Sequence, residues 1–129
     1  MIFESHAHYD DEAFDEDREA LLASFRENGI DTVINVGASL AGCRATVELT
    51  RKYAFIYGAI GIHPSEVAEM DEESVTLLHE WCSLDKIVAV GETGLDYHWP
   101  EPGPALQKEW FERQLMLARQ VKLPVIIHS

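Results

Sequence analysis

The alternation of short, continuously apolar runs with longer segments of helical periodicity limits this chain to few folds. Thr32 to Val36, Phe55 to Gly61, Ile87 to Gly91 and Pro124 to His128 are apolar or β-branched over most of their length, and Met1 to Ser5 is a shorter run of the same kind. Strands that are apolar at successive positions, and not only at alternate ones, belong to a parallel sheet buried on both faces. Helical segments are predicted between them over 14–28, 39–54, 71–83 and 105–122. Gly29 stops the first, Ser39 caps the second, and three consecutive acids, Asp71 to Glu73, open the third. Phe111, Leu115 and Ala118 mark an apolar stripe on the fourth. Five strands and four helices in strict alternation define an α/β chain with a parallel sheet. One stiff loop, Asp96 to Pro104 with three prolines, separates the fourth strand from the fourth helix.

The 129 residues, 47% hydrophobic and 26% charged, suit one globular domain. There is no uninterrupted apolar stretch of about 18 residues, and acids stand where a signal peptide would carry basic residues. The expectation is a cytoplasmic protein with no membrane partner. Cys43 and Cys82 have no C-x-x-C spacing, so a disulfide framework is not expected. A formal net charge of −13 argues against a simple nucleic-acid-binding module. It does not argue against an enzyme acting on phosphates, because bound divalent cations reverse the local field.

The chemistry-bearing side chains collect at one end of the expected sheet. His6 and His8 lie at the C-terminal end of the first strand, His63 just past the third, Glu92 at the end of the fourth and His128 at the end of the fifth. On an extended strand Glu4, His6 and His8 share a face. Parallel β/α sheets build their sites at the C-terminal ends of their strands. Residues so far apart in sequence meeting at that end predict a shared metal or phosphate site.

Five ordered motifs carry a resemblance: SHAHYDD, GIHP, VGETGLDYHW, the Gln107, Phe111, Gln114-Leu115 pattern and LPVIIHS. Together they resemble the TatD family of metal-dependent deoxyribonucleases. The resemblance implies a TIM barrel, a centre of one or two divalent ions (Mg, Mn or Zn), and exonucleolytic hydrolysis of DNA phosphodiesters by a metal-bound water. It also implies that His6 and His8 hold one metal, that Glu92 lies between the two, and that His128 binds the second. His63 resembles a position facing the scissile phosphate, and Asp10 and Asp96 are candidates for supporting roles around the ligands. Glu4 stands where the family usually has aspartate, a longer carboxylate on the face of His6 and His8.

A full barrel takes eight strands and roughly 250 residues. Residues 1–129 are therefore expected to be the N-terminal part of a single TatD-like domain, an incomplete barrel lacking a later histidine and aspartate. The missing half, or a second copy of the chain, is expected to cover the open sheet edges. An amidohydrolase-like deaminase or amidase is an alternative, since H-x-H opens such barrels too, but Glu92 stands where those often carry a carbamylated lysine. A non-catalytic, self-associating fragment is the other.

Overall fold

The computed structural model describes residues 2–7, 18–24, 30–98 and 100–128, with positions 2–7, 23, 30 and 31 as backbone only. The elements run β1 (Ile2–Ala7), α1 (Arg18–Ala23), β2 (Ile30–Val36), α2 (Leu40–Lys52), β3 (Ile56–Ile60), a 3₁₀ segment (Pro64–Glu69), α3 (Glu72–Cys82), β4 (Ile87–Gly94), α4 (Pro104–Val121) and β5 (Val125–His128). The five strands form one sheet in the order β1-β2-β3-β4-β5, and every neighbouring pair is parallel. This is the expected α/β architecture, an open arc of parallel strands joined by helical connections.

Local chemistry explains the boundaries. Ser39 accepts the N–H of Gly42 at 3.0 Å and starts α2. Asp71 caps α3 from outside the helix, accepting the Ser74 N–H at 2.8 Å while Ser74 Oγ accepts the Asp71 N–H at 3.2 Å, a reciprocal capping box. Lys122 ends α4 in the left-handed conformation at φ 59°. The helix expected over 14–28 is described only across Arg18–Ala23; its remaining positions lie outside the described residues.

The main core lies between the sheet and α2, α3 and α4. Ile60, Ile62, Ile87 and Val90 meet Cys43, Val47, Leu78, Trp110 and Leu117, all buried. The buried Asn35 of β2 donates to Thr46 Oγ1 of α2 at 2.9 Å, so this polar group is satisfied across the layer. On the other side of the sheet Val36, Ala59 and Ala89 form a small cluster. Thr32, Ile34, Tyr57 and Val88 line an open apolar hollow.

Three details differ from the sequence reading. β4 continues three residues beyond Gly91, because Glu92, Thr93 and Gly94 keep extended geometry beside β5. Pro64–Glu69 forms a 3₁₀ turn where no element is expected. The buried face of α4 carries Gln107, Trp110, Gln114, Leu117 and Ala118, whereas Leu115, placed in the apolar stripe, is 37% exposed. Hydrophobic periodicity misses this face because two of its positions are glutamines, buried for reasons of hydrogen bonding.

Candidate metal centre

Register brings the site together at the C-terminal rim. Gly94 pairs with His128 across β4 and β5, which sets Glu92 and Asp96 on either side of the His128 level. The N–H of Glu92 reaches back to the carbonyl of Gly37 after β2 at 2.9 Å, and the N–H of His63 to that of Ala38 at 2.8 Å. The segments following β2, β3 and β4 are thus stitched together by backbone before any side chain is considered. Close approach is needed here: a Cβ on Gly61 would meet the Gly91 backbone at 2.8 Å.

His128 sits between two carboxylates. Its Nδ1 lies 3.5 Å from Oε2 of Glu92 and its Nε2 3.2 Å from Oδ2 of Asp96. All three side chains are largely withdrawn from water, Glu92 most, at 14% exposure. The Asp96 carboxyl is held below its ordinary value, first by the His98 N–H it accepts at 3.1 Å and then by His128 and the more distant His63. The His63 ring lies against that of His128, centroids 4.3 Å apart, edge to face.

One potential ligand atom from each of His63, Glu92 and His128 lies within 4.8 Å of the others. Two bonds of about 2.0–2.2 Å to a common ion span at most roughly 4.4 Å, so small side-chain rotations would let Glu92 and His128 converge on one. An imidazole and a carboxylate suit a borderline divalent ion, and Asp96 on the far nitrogen of His128 forms the carboxylate–histidine pair that orients metal-binding imidazoles. Glu92 and His128 therefore fit as part of a divalent-ion site.

His63 has a second engagement. Its Nδ1 accepts the Ser65 N–H at 3.2 Å, capping the 3₁₀ turn, and lies 2.8 Å from Ser65 Oγ. A nitrogen that accepts carries no proton, so in the neutral ring the proton is on Nε2. That tautomer makes His63 a hydrogen-bond donor. Ser65 is the participant that sequence reasoning missed; its only signal is its place after His63-Pro64.

Of the residues singled out from sequence, His63, Glu92, Asp96 and His128 are brought together. β1 carries Glu4 and His6 along its backbone, but the side chains of Glu4 and His6, and the whole of His8 and Asp10, lie outside the described residues. Among the described residues no helix is long and apolar enough to cross a membrane.

An arc of parallel β/α units with imidazoles and carboxylates at its C-terminal rim is a partial TIM barrel. The chain belongs to the TatD related DNase family, whose model matches residues 3–129. It is 38% identical over 129 residues to a protein of Bacillus subtilis named uncharacterized metal-dependent hydrolase YabD, covering 100% of this chain and 51% of that one. It is 35% identical over 115 residues to the 3'-5' ssDNA/RNA exonuclease TatD of Cronobacter turicensis, covering 89% of this chain and 44% of that one. The crystal structure of YJJV, a TatD homolog from Escherichia coli, superposes with a TM-score of 0.89 at 31% identity, over 99% of this chain and 50% of that one. A TatD family hydrolase from Entamoeba histolytica shares the fold, also at a TM-score of 0.89. The chain spans about half the length of the curated relatives it matches.

Proposed function

We propose that this chain contributes the first part of a divalent-metal site in a phosphodiesterase that removes nucleotides from single-stranded DNA. One observation carries the reading: Glu92 and Asp96 bracket His128 at 3.5 and 3.2 Å, with the His63 ring against it. His6, His8, Glu92 and His128 are the proposed ligands, and Asp96 fixes the His128 ring. When bound, a divalent ion supplies Lewis acidity toward a phosphoryl oxygen and lowers the pKa of a coordinated water.

The chain's own residues do the rest. Glu92 offers its carboxylate to the ion beside the reacting phosphate, and His63, protonated at Nε2, donates to a phosphoryl oxygen as negative charge builds. Ser65 keeps His63 in that tautomer. The names of relatives such as the Cronobacter exonuclease support the nuclease reading over a deaminase or amidase.

The remaining barrel strands, from the rest of a longer polypeptide or from a second copy, are proposed to cover the sheet. The hollow along Thr32, Ile34, Tyr57 and Val88 and the 56% exposed Ile127 on β5 are the apolar surfaces they would bury. The test is hydrolysis of 3'-labelled single-stranded DNA by the full-length gene product, before and after chelation and on re-addition of Mg, Mn or Zn. Metal-restored release of mononucleotides is expected. A metal-independent or inactive wild type would overturn the reading.

A further inference from the structure

The two buried glutamines of α4 have a function that the mechanism above does not use. Gln107 and Gln114 are 1% and 2% exposed and lie seven residues apart, two turns along one helix face. A buried primary amide is costly unless its oxygen and nitrogen both find partners. Each glutamine pairs with both the N–H and the carbonyl of one rim residue, and Gln107 also reaches a second carbonyl. Gln114 Oε1 accepts the Ile62 N–H at 2.8 Å and its Nε2 donates to the Ile62 carbonyl at 3.2 Å. Gln107 Oε1 accepts the Asp96 N–H at 2.8 Å, and its Nε2 donates to the carbonyls of Asp96 at 2.8 Å and Pro102 at 2.7 Å.

Each side chain thus imitates a neighbouring strand where the sheet ladder has ended. Ile62 directly precedes His63, and Asp96 is itself the carboxylate on His128. We propose that Gln107 and Gln114 are positioning residues that use the rigid spacing of α4, about 10.5 Å between the two at 1.5 Å per residue, to hold Asp96 and His63 in place around His128. This deepens the proposed function and rests on it for its catalytic meaning. The geometric claim, that α4 sets the rim, stands on the hydrogen bonds alone.

The experiment uses Gln107→Glu and Gln114→Glu in the full-length gene product. Each keeps an acceptor for the rim N–H but, when ionised, loses the donor to the rim carbonyl and sets charge against it. Gln107→Met and Gln114→Met remove both functions at similar volume. Leu117→Ala, a buried α4 position whose apolar side chain makes no hydrogen bond to the rim backbone, is the control for lost stability. Unfolding midpoints confirm which variants are folded at the assay temperature. Two readouts follow: the imidazole resonances of His63 and His128 in metal-free protein, and Mn²⁺ affinity.

The glutamine variants should shift the histidine resonances and weaken Mn²⁺ binding about 10–100-fold, the range for groups that orient metal ligands, while Leu117→Ala does neither. Folded glutamine variants with wild-type histidine resonances would overturn the proposal, as would a Leu117→Ala protein showing equal shifts. A wild type that binds no Mn²⁺ would defeat the metal-site reading, and the resonances would still decide the brace.

Discussion

Oδ2 of Asp96 lies 3.2 Å from Nε2 of His128, on the opposite side of the imidazole from Glu92. This contact fixes which nitrogen is available for a metal. Replacing the carboxylate by an amide in Asp96→Asn should weaken divalent-metal affinity about 10–100-fold with little change in fold, measured by titration calorimetry. The pH behaviour has a definite sign. Asp96 has a lowered carboxyl pKa in the folded protein, so its contribution to stability is present above the unfolded value near 3.9 and is lost as pH falls through the lower, folded value. The stability difference between wild type and Asp96→Asn should therefore shrink as pH falls below about 4. A difference unchanged into strong acid would show that Asp96 is not held below its ordinary value.

His63 and His128 should separate in kinetics although their rings touch. His128→Ala removes a proposed ligand and should lower metal affinity by more than the roughly 100-fold typical of outer groups. His63→Asn should leave that affinity within a few-fold and lower kcat by about 100-fold, as expected for a lost charge-stabilising donor. Equal losses of metal affinity in both would make His63 a ligand.

Gly94 has φ +150°, and a Cβ there would run into the carbonyl oxygen of His128 and lie 3.2 Å from its backbone nitrogen. Gly94→Ala should cost about 1–3 kcal/mol in urea unfolding, as overpacking does, and should also weaken metal binding because the β4–β5 pairing places His128. Unchanged metal affinity would show that β5 finds its position without this close approach.

The two cysteines should be inert in the native protein. Cys82 is buried, which pushes its thiol up to about 11, and the buried Cys43 donates to the Gly61 carbonyl at 3.2 Å. Labelling with a thiol-reactive chromophore at pH 8 should show no fast phase until denaturant is added. The thiol of Cys82 ionises more readily in the unfolded chain, so its contribution to stability should be lost as pH rises from 9.0 toward 11. Rapid native labelling would place one thiol at the surface.

The sequence by itself determined the strand–helix alternation, the parallel sheet and the end of the sheet at which Glu92, His63 and His128 stand. These follow from local periodicity and from the rule that each strand of such a sheet delivers its last residues to the same rim. The capping of α2 by Ser39 was legible for the same reason, since capping involves residues three apart. Tertiary structure alone decided what is specific to the site. That Asp96 turns back on His128, 32 residues away, depends on the register that sets Gly94 opposite His128. That α4 buries two glutamines depends on backbone groups of Ile62 and Asp96, 52 and 11 residues distant, which need partners after their strands end. Periodicity records which side chains avoid water, and it is silent about a polar side chain buried because a remote backbone amide needs a partner.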